Sequence, residues 1–301
     1  MEKRRDILRL LAELGVAGTV PVLGGWRQAP FQSNRIMVSV QGREFGEAPD
    51  LVLIPGLAST ADVWRSTAAA LQDRYRLHLV SVRGFGDLPA QANGEGPLLA
   101  PLANEIRRYI HETGLIAPAV IGHSMGGQLG LRIGADSGNA VSRVMAVDSS
   151  PFFAALISPQ ATARDVEPIA QVAYQALQFF GDQALMAQGR RLGVELGGAT
   201  DALFGTLGWQ GGDRRVLAQA LYEVMTVDLR PRLADIRAPV TVVYGWSPDE
   251  ASPRSRADTL FRQAYARLRT PAVFERIEGA EHMVMIDRPT QFLAAMARFL
   301  A

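Results

Sequence analysis

The residues with the clearest chemical potential are Gly122-His123-Ser124-Met125-Gly126, a G-x-S-x-G pentapeptide. An apolar run, Pro118-Ala119-Val120-Ile121, precedes it, and the helix-like stretch Gly127-Gln128-Leu129-Gly130-Leu131-Arg132-Ile133 follows. A serine at a sharp strand-to-helix turn has a strained backbone and a hydroxyl lifted clear of the sheet. Small residues two positions to either side let the flanking backbones approach. The helix that starts there aims its N-terminal N–H groups at an anion forming beside the serine. The pattern predicts a nucleophile, Ser124, with part of an oxyanion site built in.

Such a turn needs a buried strand and a helix on either side, and the rest of the chain supplies a series of both. From Asn34 onward, β-rich runs alternate with helical stretches, the signature of a mainly parallel, doubly wound α/β sheet. The expected strands are Arg35–Val40, Leu51–Ile54, Leu77–Val82, Ala119–Ile121, Val144–Asp148, Val240–Tyr244 and Val273–Ile277. Several are continuous apolar runs, as in strands covered on both faces. The expected helices between them are Thr60–Gln72, Leu99–Thr113, Met125–Ala135, Ser255–Ala266 and Thr290–Ala301. Ligands of such sheets collect at the carboxyl ends of the strands. One connection, roughly Pro151 to Pro231, is about eighty residues long where a crossover needs far fewer. It reads as helices over Ala161–Phe180, Gln183–Leu196 and Arg214–Thr226, broken at Gly181, Gly197-Gly198 and Gly211-Gly212. The expected organisation is a leader over 1–33, a core over 34–150 and 232–301, and a helical cap over 151–231.

A net charge of +1, with basic residues scattered singly, excludes a nucleic-acid-binding stripe. The chain has no cysteine, so disulfides, thiolate catalysis and cysteine-ligated metals are excluded too. No histidine–carboxylate cluster has metal-ligand spacing, and no metal or organic cofactor is expected. At the N-terminus, Arg4-Arg5 precedes Ile7-Leu8-Arg9-Leu10 and a weakly apolar run from Leu14 to Gly25. This looks like a twin-arginine export signal, too short to span a membrane, and it implies a periplasmic or exported protein. The alternative is an amphipathic helix with Ile7, Leu10, Leu11 and Leu14 on one face, in a cytoplasmic protein.

From about Arg35 to Ala301 the chain resembles the α/β-hydrolases, a resemblance carried by the Ser124 elbow, the alternating elements and the long helical insertion. The fold implied is a mainly parallel, doubly wound sheet with an all-helical cap between its sixth and seventh strands. In that family the nucleophile is followed along the chain by the acid and then the histidine. Of the four histidines, His78 falls in a strand, His111 on a helix, and His123 in the elbow, pointing away from the reacting hydroxyl. His282, in Gly279-Ala280-Glu281-His282-Met283 after the last strand, resembles the family's base position. The acid has two main candidates. Pro248 stands where the family usually has aspartate after Tyr244-Gly245, leaving Asp249 and then Glu250 beyond it, whereas Asp148 ends the preceding strand. Asp148 is favoured over Asp249, with Glu250 and Asp228 more remote. The oxyanion donors implied are the amides of Leu57, in Pro55-Gly56-Leu57-Ala58-Ser59, and Met125. Arg83-Gly84-Phe85-Gly86 resembles a loop that is structural in the family.

The reaction implied is acyl transfer through an acyl-enzyme. His282 takes the Ser124 proton during attack and returns it to the leaving group, and water then releases the acyl group. Phe152, Phe153, Phe179, Phe180, Phe204 and Trp209 could line an apolar pocket, with Phe152, Phe153 and Trp209 the first candidates for substrate contact. A neutral carboxylic ester or lactone of small to medium size is the expected small-molecule substrate. Neither nucleic acid nor stable membrane insertion is expected. Within enzymes, the same residues could run a C–C bond hydrolase, acyltransferase or perhydrolase. Outside enzymes, a catalytically silent ligand-binding protein of this fold is the alternative.

Overall fold

The computed structural model describes residues 26–192, 210–248 and 253–301. Eight strands form one sheet in the order β1-β2-β4-β3-β5-β6-β7-β8. They are β1 (Arg27–Gln28), β2 (Ile36–Gly42), β3 (Asp50–Ile54), β4 (Arg76–Val82), β5 (Ala119–His123), β6 (Arg143–Val147), β7 (Val240–Trp246) and β8 (Val273–Glu278). β2 runs antiparallel to both β1 and β4, and every other pairing is parallel. The expected doubly wound α/β architecture is therefore present. The sheet also starts earlier than the expected core boundary at residue 34, because Arg27 and Gln28 pair with Val40 and Ser39.

Side-chain alternation along the parallel strands divides the core into two layers. Val52 and Ile54 of β3, Val80 and Val82 of β4, Val120 of β5, and Val144 and Ala146 of β6 face one layer. Leu51 and Leu53, Leu77 and Leu79, Ile121, and Met145 and Val147 face the other. The first layer is closed by α2 (Leu99–Glu112), α3 (Met125–Asp136), α5 (Arg214–Thr226) and α6 (Arg254–Ala264). The second is closed by α1 (Arg65–Leu71), α7 (Val284–Asp287) and α8 (Pro289–Leu300). Burial on both faces explains why these strands read as near-continuous apolar runs.

Between β6 and β7, the described residues are helical. They form a 3-10 turn at Phe153–Leu156, helix α4 (Ala163–Leu192), α5 and a 3-10 turn at Arg230–Asp235. Gly181 leaves helical geometry inside α4 (φ 70, ψ 170), at the break expected from its glycine. The kink separates two helical stretches, as expected; the second, expected over Gln183–Leu196, has its start among the described residues and its end outside them. The helix expected over Thr60–Gln72 is divided into a 3-10 turn, Ala61–Trp64, and α1, because Trp64 leaves helical ψ at the junction.

The helices of this insertion are tied to the sheet layers. Glu223 of α5 is buried, and its carboxylate accepts the backbone N–H groups of Leu98 and Leu99 at 2.6 and 2.8 Å. A cap from another helix thus satisfies donors that every helix N-terminus leaves free. Just before α5, Gly211 accepts from the Gly86 N–H and Asp213 donates to the Gly84 carbonyl.

Candidate active site

Ser124 sits between β5 and α3 with φ 52 and ψ −118. A side chain at Gly122 would run into the backbone of Gly126, and one at Gly126 into the carbonyls of Ile54 and Pro55. Only glycine admits both approaches, and together they force the chain to reverse at the serine. The reversal leaves Ser124 4% exposed, with its carbonyl accepting from the Gly127 and Gln128 amides in the first turn of α3.

The loop after β3 lies against this turn. A Cβ built on Gly56 would be 2.8 Å from His123 Nδ1 and 3.2 Å from Ser124 Cβ. Leu57 and Met125, the residues expected to supply oxyanion donors, are both buried; Leu57 follows Gly56 in this loop, and Met125 follows the serine and opens α3. Ala58 next to Leu57 has φ 54, so the loop is tightly turned. Gln210 spans it from the far end of the insertion: its N–H donates to the Ala58 carbonyl and its Oε1 accepts from the Thr60 N–H, each at 2.8 Å.

Asp148 follows β6 directly, with φ 42. Its Oδ2 lies 2.6 Å from His282 Nδ1, and its Oδ1 accepts the Gly245 N–H at 3.1 Å. The carboxylate accepts a hydrogen bond from Nδ1–H, which leaves Nε2 as the basic nitrogen of the ring. That nitrogen is buried and has no hydrogen-bond partner among the described residues. The bond between Ser124 Oγ and Nε2 is thus open, as is common before a ligand tightens a site. His282 reaches Asp148 because the loop after β8 folds over the end of β7. The Gly279 N–H donates to the Trp246 carbonyl at 2.8 Å, and any side chain at Gly245 would strike the Ala280 and Glu281 carbonyls.

Asp228, the remote alternative acid, instead pairs with Arg230 at 2.7 Å. Asp249 and Glu250 lie outside the described residues, as do Trp209, Phe204 and the leader through Gly25. Phe152 is fully buried under the Arg230 guanidinium, 4.8 Å from its ring centre, while Phe153 is half-buried. Phe179 and Phe180 are exposed on α4. His78 and His111 fall on β4 and α2.

His123, given no chemical part in the sequence reading, is fully buried against His282. Burial holds its imidazole well below the usual histidine pKa. The charge of His282 pushes the same way, and a hydrogen bond to the His282 carbonyl opposes both. Ser149 and Tyr265 were also missed. Ser149 Oγ donates to the Ser124 carbonyl at 2.7 Å, and the Tyr265 hydroxyl donates to the Ser149 carbonyl at 2.9 Å. Burial raises the Tyr265 pKa, and the nearby Asp148 charge raises it further. A polar ring inside an apolar strand was a signal for His123; nothing local marks Ser149 or Tyr265.

Among the described residues, no group of three or more His, Cys, Asp or Glu could hold a metal ion, and no helix is long and apolar enough to cross a membrane.

The chain is similar to known proteins in sequence and in fold. The chain is 30% identical to a pimeloyl-[acyl-carrier protein] methyl ester esterase of Photorhabdus laumondii over 83% of its own length and 91% of the esterase. A protein of the same name from Aeromonas hydrophila is 28% identical, over 87% of this chain and all of that protein. Among solved structures, the enol-lactonase of Burkholderia xenovorans has a TM-score of 0.65 at 21% identity, covering 88% of this chain and 96% of the lactonase. A hydrolase of Pseudomonas aeruginosa has a TM-score of 0.66 at 20% identity, covering 93% and 99%. The model of the alpha/beta hydrolase family matches residues 51–296, and the chain belongs to that family as one of its hydrolases.

Proposed function

We propose that the chain is a serine hydrolase that cleaves a carboxylic ester or lactone of small to medium, mainly apolar character through an acyl-enzyme. The observation that carries this reading is the His282–Asp148 contact of 2.6 Å beside a serine held at φ 52 at the strand-to-helix turn. The methyl ester esterases at 28–30% identity favour a carboxylic ester as the bond broken.

In this reading Ser124 Oγ attacks the acyl carbonyl while His282 Nε2 takes its proton. Asp148 stays ionised, fixes the Nδ1–H tautomer and stabilises the imidazolium. The amides of Leu57 and Met125 stabilise the oxyanion, each worth on the order of 3 kcal/mol in the transition state. The imidazolium then protonates the departing alkoxide. Water, deprotonated by the same nitrogen, attacks the acyl-enzyme, and collapse of the second tetrahedral species returns Ser124 and the carboxylic acid.

Steady-state hydrolysis of p-nitrophenyl acetate and butyrate tests the assignment. Wild type is expected to turn over, and Ser124→Ala to lose at least about 10³ in kcat. Equal turnover by the two proteins would sink the proposal. Export through the Arg4-Arg5 segment is a separate proposal. N-terminal sequencing of natively expressed protein tests it, and an intact Met1 in the cytoplasmic fraction is the contrary result.

A further inference from the structure

Beyond the three reacting side chains, the site contains a second set of hydrogen bonds that connects their backbones. His123 Nε2 is 2.9 Å from the carbonyl oxygen of His282, and the two imidazole centres are 4.6 Å apart. A carbonyl only accepts, so Nε2 carries the His123 proton and Nδ1 is bare. Nδ1 is buried without a partner and faces Gly56 of the loop after β3. On the other side, Ser149 Oγ donates to the Ser124 carbonyl at 2.7 Å while its own carbonyl is held by the Tyr265 hydroxyl at 2.9 Å.

We propose that His123 and Ser149 are positioning residues that cross-brace the site: the neighbour of the nucleophile holds the backbone of the base, and the neighbour of the acid holds the backbone of the nucleophile. This rests on the reading of Ser124, His282 and Asp148 given above. The bracing has a physical reason. Ser124 and Asp148 both occupy positive φ, at 52 and 42, a conformation that is strained for a non-glycine residue and lasts only where its surroundings hold it. Helix α3 holds Ser124 from one side through its first-turn amides, and the Ser149 hydroxyl holds the same carbonyl from the other. The His282 backbone lies on a loop, where no ladder fixes it, and the His123 N–H supplies a fixed point. The brace must also stay neutral, because a second cation 4.6 Å from His282 would oppose the imidazolium that forms during attack. Full burial keeps His123 uncharged. Neither residue is expected to touch substrate.

The test compares His123→Gln, whose amide can place an N–H near the Nε2 position, with His123→Asn, which is too short to do so, and with His123→Phe, which keeps a ring but has no donor. Ser149→Ala removes the second brace. Two readouts are used: kcat and KM on p-nitrophenyl butyrate, and the second-order rate of Ser124 modification by a fluorophosphonate. Thermal unfolding confirms that each protein is folded. His123→Phe is expected to lose on the order of 100-fold in kcat with KM within twofold of wild type, and to be phosphonylated more slowly by a similar factor. His123→Gln is expected to recover at least tenfold of that loss, and Ser149→Ala to lose about tenfold in kcat. Folded His123→Phe within threefold of wild-type kcat would overturn the bracing role. If His123→Phe does not fold, the amide pair decides: Gln at least tenfold faster than Asn upholds the role, and equal rates overturn it. A wild type that no fluorophosphonate labels defeats the serine-hydrolase reading itself. A labelled wild type beside fully active His123 variants defeats only the bracing.

Discussion

Asp148 holds two hydrogen bonds at once, to His282 Nδ1 and to the Gly245 N–H, from a backbone conformation rare outside glycine. Replacing its acceptor pair with an amide lets the side chain offer N–H to the ring and so favours the tautomer with Nε2 protonated, which cannot take a proton from Ser124. Asp148→Asn is expected to lower kcat on p-nitrophenyl esters by on the order of 10³–10⁴ with an unchanged fold. A loss under tenfold would remove Asp148 from the proposed mechanism and return attention to Asp249. Gly122→Ala probes the elbow from its other side. Its methyl group would meet the Gly126 carbonyl carbon and oxygen, so the variant should yield inactive, destabilised protein, measurable as a lowered Tm. At this scale the serine and the last histidine were legible in the sequence, one from its glycine spacing and the other from position and scarcity. The acid was legible only as a preference for Asp148 over Asp249, because its contact with His282 joins residues 134 apart and depends on β6 and β7 being neighbours in the sheet. The braces at His123 and Ser149 were hidden for the same reason: each reaches a backbone carbonyl, and carbonyls leave no trace in a sequence.

Among the elements, the tie between α5 and α2 depends on one side chain. The N-terminus of α2 has no capping side chain of its own, and the Glu223 carboxylate supplies the cap while also accepting from Gln219 Nε2 at 2.7 Å. Glu223→Ala leaves two buried amides unpaired and removes a negative charge from a helix N-terminus. A loss of about 2–4 kcal/mol in urea unfolding is expected, with Glu223→Gln losing less because its amide oxygen still accepts. Stability equal to wild type for both variants would show that water replaces the cap. In the opposite layer, Phe292 of α8 is fully buried with its ring centre 6.1 Å from that of Trp64. Phe292→Ala should cost about 3–5 kcal/mol by the same measurement. Strands with long apolar runs and helices of two turns or more were readable from periodicity. The two-residue β1 and the four-residue α7 were not, since neither is long enough to show a period. The division at Trp64 escaped for another reason: a change of ψ at one residue alters no pattern of apolar positions.

For the molecule as a whole, two buried neutral histidines set how stability responds to acid. Burial holds His78 below its ordinary value although Asp50, 2.9 Å from its Nε2, pulls upward, and burial holds His123 lower still. Both folded-state values are therefore depressed. As the pH falls through about 6.5 the unfolded chain takes up protons that the folded protein refuses, so stability declines toward acid. The expected slope is about 1.4 kcal/mol per pH unit for each histidine that remains neutral. Urea unfolding at pH 7.5, 6.5 and 5.5 measures it, and His78→Gln should make the decline shallower. Stability that is flat over this range, or that rises toward acid, would contradict the burial argument. At the carboxyl edge of the sheet β5 delivers Ser124, β6 delivers Asp148 and the loop after β8 delivers His282. The most direct measurement of whether that arrangement works is peptide mapping by mass spectrometry after treatment with a fluorophosphonate. One adduct, on Ser124, is expected in the wild type, with labelling slowed at least about 10³-fold in His282→Ala. An adduct on another residue, or labelling at the same rate without His282, would contradict the proposed serine hydrolase.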